Sequence, residues 1–211
     1  MIRLPPILLA LLALAACAAP PDLAPPPVAT EVAIVKPPPA PASPADIPGP
    51  VCGPEHAEAI RAALAMARER MAVAIALIER EPGHAHVRRW FGTAPPAAVA
   101  EQLRRTAAWL AKPMGLQLRC NDMAGCGPAM RMAYAAPSRG VLGLCPSFFR
   151  AGDGGYDTRW GVLIHEASHI AAGTRDHVYG PQPAAILAKQ DPIRAAENAD
   201  NYEYFLETLP G

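Results

Sequence analysis

The pattern of this 211-residue chain predicts an α+β fold, mostly helical with a small sheet. Long stretches with apolar residues at helical spacing open the folded part, and short alternating runs occupy its middle. A third helical stretch carries two histidines four residues apart, which a helix sets on one face.

From Pro54 to Arg80, Ile60, Leu64, Ala67, Met71, Ile75 and Ile78 recur at helical period between arginines and glutamates. Glu81-Pro82-Gly83 ends that helix. A second helix is predicted from Pro96 to Lys112, turning Val99, Leu103, Thr106 and Leu110 inward. Shorter pieces follow at Leu116–Arg119, Ala129–Ala135 and Val141–Leu144, and alternation at Met130, Met132 and Tyr134 makes the middle one a strand. Thr158–Ala172 reads as a helix capped by Asp157 or Thr158. A last helix runs from about Pro192 to Leu206. His84 and His86, just after Pro82-Gly83, read as a solvated turn, and His56 invites no special role.

The folded domain is expected over residues 51–211. Twelve of the 26 prolines fall between Ala18 and Pro50, a composition that buries no core and reads as an extended linker. Nineteen basic residues balance nineteen acidic ones with no basic stripe, which argues against a nucleic-acid partner. In residues 1–17, Arg3 precedes an apolar run from Ile7 to Ala16 that is too short to span a bilayer and reads as a signal-peptide core. Its end, Leu14-Ala15-Ala16-Cys17, resembles the lipobox of bacterial lipoproteins. The resemblance implies a lipidated Cys17 and an exported protein anchored in the cell envelope, at the outer membrane by the alanine at 18; ordinary cleavage would free a secreted protein instead. The other cysteines, Cys52, Cys120, Cys126 and Cys145, are even in number in an exported domain and suggest two disulfides, with three connectivities open.

The most informative stretch is His165-Glu166-Ala167-Ser168-His169, followed by Gly173, Asp176 and Tyr179. His165 and His169 aim two imidazoles at one metal ion, and Glu166 is placed to reach a water on it. Gly173 offers a helix stop, and the returning chain brings Asp176 as a third ligand. That is the outline of a peptidase with one zinc ion, acting on protein or peptide substrates. Glu197 and His177 are the rival third ligands, ranked second and third. A third histidine six residues past the second is the spacing of another zinc pattern, and His177 lies eight past it. Tyr179, three residues after Asp176, is a candidate oxyanion donor.

These residues resemble the deuterolysin family of zinc endopeptidases, the aspzincins. The resemblance rests on His-Glu-x-x-His followed by Gly-Thr-x-Asp-x-x-Tyr-Gly, and on Asn198-Ala199-Asp200-Asn201-Tyr202-Glu203-Tyr204-Phe205. Trp90-Phe91-Gly92-Thr93 and Leu144-Cys145-Pro146-Ser147-Phe148-Phe149 support it. It implies a zincin-like domain, Asp176 as third ligand, and disulfides Cys52–Cys120 and Cys126–Cys145. The Asp-x-x-Glu at Asp200 and Glu203 is similar to the peptidyl-Lys branch, which implies cleavage on the amino side of lysine with its ammonium held between the two carboxylates. On a helix the two share a face; read alone, they are a solvated acidic pair. Competing functions are an enzyme acting on cell-wall peptides and an envelope lipoprotein serving as a non-catalytic binding module. A monomer is expected.

Overall fold

The computed structural model describes residues 52–112, 117–127 and 131–210. The signal segment, Cys17 and the proline-rich linker lie outside the described residues.

A 3-10 turn at Pro54–His56 leads into α1 (Ala57–Arg80), whose buried stripe is Ile60, Ala63, Ala67, Met71, Ala74, Leu77 and Ile78. After Pro82-Gly83 comes a helix that the sequence pattern does not reveal, α2 (Ala85–Phe91). His84 is its cap, its Nδ1 accepting from the His86 amide, and His86 Nε2 lies 2.8 Å from the Phe205 carbonyl. The solvated turn predicted here is therefore corrected. Three residues with a partner on a distant helix, His86, Trp90 and Phe91, make a short helix worth forming, and seven residues are too few to reveal a period. Next, α3 (Pro96–Leu110) buries Val99, Leu103, Thr106 and Leu110 as expected, stopping two residues before Lys112.

The middle of the chain forms β1 (Gln117–Cys120), α4 (Met123–Cys126), β2 (Ala133–Ala136), β3 (Val141–Leu144) and α5 (Pro146–Arg150). The sheet order is β1-β3-β2, with β1 parallel and β2 antiparallel to β3. This leaves β2 at an edge. The predicted strand at Ala129–Ala135 is shifted: Ala129 and Met130 lie outside the described residues and the strand occupies Ala133–Ala136.

The histidine-bearing helix, α6 (Arg159–Ala171), is central: it packs against α1, α3, β2 and the last helix, α9. Thr158 caps it, its Oγ1 accepting from the Gly161 amide at 2.9 Å. Gly173, at φ +73, takes the left-handed conformation that ends a helix at low cost. Beyond the return loop lies α7 (Pro181–Gln190), likewise absent from the sequence expectation. Its prolines at 181 and 183 fall in the first turn, where the backbone amides have no intrahelical partner. The predicted last helix is two helices, α8 (Pro192–Glu197) and α9 (Ala199–Glu207). Asn198 between them is extended (φ −93°, ψ 125°) because its amide side chain serves the return loop.

The disulfides are Cys52–Cys120 and Cys126–Cys145, as the resemblance implied. The first joins the segment before α1 to β1 across 68 residues, and the second joins α4 to the start of α5 across 19. Because the entropy removed from the unfolded chain grows with loop length, replacing both cysteines of the first pair by serine is expected to cost about 4 kcal/mol and of the second about 3 kcal/mol. Urea unfolding of the two double variants checks this; a larger loss from the short loop would contradict the loop-entropy account.

Candidate active site

Helix α6 is buried almost all round, so its face toward the cleft is fixed by packing of Trp160, Leu163, Ile164 and Ala167. His165, Glu166 and His169 all line one cavity of about 570 Å³, together with Asp176, Tyr179, Asp200 and Glu203. Edge strand β2 supplies another wall through Ala133, Tyr134 and Ala135.

The two imidazoles are oriented from behind. His165 Nδ1 lies 2.9 Å from Glu203 Oε2, and His169 Nδ1 lies 2.9 Å from the Thr174 carbonyl. Each partner accepts only, so both Nδ1 atoms carry a hydrogen, and in the neutral imidazoles both Nε2 atoms are left as lone-pair acceptors. Asp176 Oδ1 meets them at 3.1 Å from His165 Nε2 and 3.2 Å from His169 Nε2. With the imidazoles neutral, three acceptor atoms face one another, an arrangement that calls for a cation: a metal ion or, where none is bound, a proton on the imidazoles. Donors about 2.0 Å from a tetrahedral ion sit about 3.3 Å apart, so the set fits zinc. A second group, His165 with Asp200 and Glu203, also brings donor atoms together. It uses the Nδ1 that already has its hydrogen, and so is a hydrogen-bonded cluster.

Asp176 is held there by a buried asparagine. Asn198 Oδ1 accepts from the His177 amide at 2.7 Å and the Val178 amide at 3.2 Å, and the backbone of Arg175 bridges Glu197 and Ala199 on either side of Asn198. Ser168 adds a tie by donating to the His165 carbonyl at 2.6 Å and meeting Thr174 Oγ1 at 2.5 Å. Sequence reasoning passed over Ser168, Thr174 and Asn198 as functional residues, although all three stand inside the quoted motifs. The rival ligands lie elsewhere: Glu197 Oε2 is 3.6 Å from His177 Nε2, and His177 Nδ1 is 3.2 Å from an Arg194 guanidinium nitrogen.

Asp200 and Glu203 are both 3 % exposed and share the cavity wall, not a solvated face. Both also reach His165 Nδ1, Asp200 Oδ1 at 3.0 Å. A single N–H serves one acceptor well; alignment selects Glu203, while Asp200 Oδ2 takes the Gly180 amide at 2.6 Å. Tyr179 is 68 % exposed at the cavity rim, its hydroxyl donating to Asp176 Oδ2 at 3.0 Å.

The electrostatics follow from this crowding. Burial pulls the His165 pKa down, but Asp176, Asp200 and Glu203 outweigh it and hold the imidazole well above its usual 6.5. The Asp176 carboxyl, although burial alone would raise it, is driven far below its usual range by the two histidines. Burial raises Glu166, with the histidines pulling back, and burial also raises Glu203. Positive charge among these residues is thus favoured from every side. Farther back on α9, Glu207 accepts from the amides of Asp157 and Thr158 and from the Thr158 hydroxyl, tying α9 to the start of α6.

A helix-borne His-Glu-x-x-His with an aspartate returning to it, on a helical domain with a small edge-strand sheet, defines the zincin class of metallopeptidase fold. A family model described as lysine-specific metallo-endopeptidase, the aspzincin family, matches residues 76–207, and the chain belongs to that family. The chain is 39 % identical over 125 residues to a peptidyl-Lys metalloendopeptidase of Armillaria mellea, covering 57 % of this chain and 34 % of that protein. It is 44 % identical over 88 residues to a peptidyl-Lys metalloendopeptidase of Pleurotus ostreatus, covering 40 % of this chain and 52 % of that one. The chain thus spans between a third and about half of these relatives' length. Among solved structures, a zinc peptidase from Grifola frondosa superposes with a TM-score of 0.63 at 30 % identity, covering 74 % of this chain and 96 % of that one.

Two outcomes are expected. Alanine at His165, His169 or Asp176 should weaken zinc binding by about tenfold or more, and alanine at Glu197 or His177 should leave it near wild type. Metal titration of the purified variants decides, and full retention by Asp176→Ala would remove Asp176 from the ligand set. Secondly, the Glu207 carboxyl is pushed up to about 8 from 4.5, by burial first and by the Glu203 charge second, against its hydrogen-bond donors. A carboxyl that keeps its proton better when folded stabilises the fold fully below 4.5 and loses that contribution as pH rises to about 8. The wild-type Tm should therefore fall across this window more than that of Glu207→Gln; equal falls would contradict the shift.

Proposed function

We propose that this chain is a zinc-dependent endopeptidase that hydrolyses peptide bonds on the amino side of lysine. The observation that carries the reading is the convergence, in one cavity, of the three-atom donor set, Glu166 and the buried carboxylates of Asp200 and Glu203. The names of the relatives support the same substrate class.

His165, His169 and Asp176 would hold one zinc ion, which when bound polarises the scissile carbonyl and lowers the pKa of a water to about 7. Glu166 takes the proton of the attacking water and delivers it to the leaving amine. Burial raises its pKa, which moves it toward the value a base working near neutral pH requires. Tyr179, at the rim, turns its hydroxyl from Asp176 to the oxyanion that develops on the carbonyl. Asp200 and Glu203 take the lysine ammonium. The two oxygens of Glu203 divide the work, since Oε2 orients His165 while Oε1 is buried without a hydrogen-bond partner. An ammonium that enters the cavity satisfies it.

The protein acts as a monomer on peptide substrates, exported and tethered through a lipidated Cys17. Among the described residues no helix is long and apolar enough to cross a membrane. Mass of the N-terminal peptide from the native host reads this directly.

Digestion of a denatured protein mixture by the zinc-loaded chain, with the cut sites mapped by mass spectrometry, is expected to give cuts before lysine that a chelator abolishes. Glu166→Gln should keep its zinc and lose about 10²- to 10⁴-fold in kcat. Chelator-sensitive cuts without lysine preference would discard the pocket; no cuts from a folded, zinc-loaded sample would move the function to wall peptides or to binding.

A further inference from the structure

We propose that Asp157 is a third carboxylate of the lysine pocket. The inference rests on the pocket reading above and extends it to a residue outside both motifs.

An ammonium presents three hydrogens, and Asp200 and Glu203 come to the cavity partly engaged. Glu203 Oε2 is committed to His165 and Asp200 Oδ2 to the Gly180 amide. Glu203 Oε1, on a residue 3 % exposed, has no hydrogen-bond partner among the described residues. It is a buried acceptor on a residue that lines the cavity, and a donor brought in by a ligand would satisfy it. Asp157 lines the same cavity from the loop before α6. Its hydrogen bonds aim it there: Oδ1 accepts from the Tyr204 hydroxyl at 3.1 Å, and Tyr204 follows Glu203 directly on α9. Oδ2 accepts no hydrogen bond among the described residues. The backbone is fixed as well, since the Asp157 amide donates to Glu207 Oε2 at 3.2 Å.

Asp157 also sits at φ +54, in the left-handed region that aspartate and asparagine adopt more readily than other non-glycine residues. A capping role does not require this residue, because Thr158 performs the capping. Two buried carboxylates from α9 and a third, exposed, from the loop before α6 would give a compact cation acceptors from two elements of the cavity wall. The exposed position of Asp157 adds attraction along the approach of the side chain.

The test uses the zinc-loaded full chain and two peptides that differ only in lysine or norleucine after the scissile bond. Asp157→Asn keeps the left-handed backbone and an oxygen for Tyr204, so Tm and zinc content should match wild type. The lysine-to-norleucine ratio of kcat/KM should fall about tenfold or more, the size of one charge-assisted hydrogen bond. Competitive inhibition by n-butylamine should weaken by a similar factor. Tyr204→Phe, which releases Asp157 Oδ1, should lower the ratio less. An unchanged ratio in Asp157→Asn, including the case in which both peptides slow equally, overturns the proposal. Should that variant lose its fold, Tyr204→Phe carries the test and an unchanged ratio again overturns it. A wild-type enzyme with no preference for lysine over norleucine would instead overturn the pocket itself, and is read before any substitution is made.

Discussion

The cleft depends on one constraint: α9 is a buried helix whose polar side chains must all find partners inside the protein. Asp200, Asn201 and Glu203 are each 3 % exposed or less, and a buried polar group left unpaired costs about 1–3 kcal/mol. Each therefore dictates the position of something else. Asp200 fixes Gly180, Glu203 fixes His165, and Asn201 donates to carbonyls of Trp90 on α2 and Ala184 on α7. Asn198, just before the helix, fixes the loop that carries Asp176. Glu207 at its far end holds the start of α6.

This arrangement explains why the donor set is rigid although one of its members sits on a loop. Loops carry function well when a packed scaffold positions them. Here the scaffold is not an apolar surface but a hydrogen-bond inventory with little slack. Glu203 stands between the donor set and the proposed pocket, because one of its oxygens orients a candidate ligand while the other is buried without a hydrogen-bond partner among the described residues. On the proposed reading a change at Glu203 would touch metal and substrate together, whereas Asp157 has no hydrogen bond to either histidine among the described residues.

Much of this was legible in the residues. The stripes of α1 and α3 are long enough for period to identify them, and the buried set of α3 is the predicted one with Ala100 added. His165, Glu166 and His169 follow from spacing on a helix, and the third position favoured Asp176 by its place after the Gly173 stop. What escaped was of two kinds. The short helices α2 and α7 form because distant partners receive them, and seven to ten residues with prolines or histidines at the start give no reliable period. The break at Asn198 escaped because a side chain that leaves its own helix to serve a loop has no signature in local pattern.

The sequence by itself determined the helix-borne His-Glu-x-x-His, the inward faces of the long helices and the kinds of side chain available to the candidate site, since these depend on periodicities of 3.6 and 2 and on residue chemistry. Only the tertiary structure decided which acceptor each donor meets. It set both Nδ1 atoms toward acceptors of the protein and both Nε2 atoms toward Asp176. It also turned the acidic pair of α9 inward and brought Asp157 beside Tyr204 from 47 residues away. Hydrogen bonds act over about 3 Å in space, and no spacing along a chain specifies that distance between separate elements.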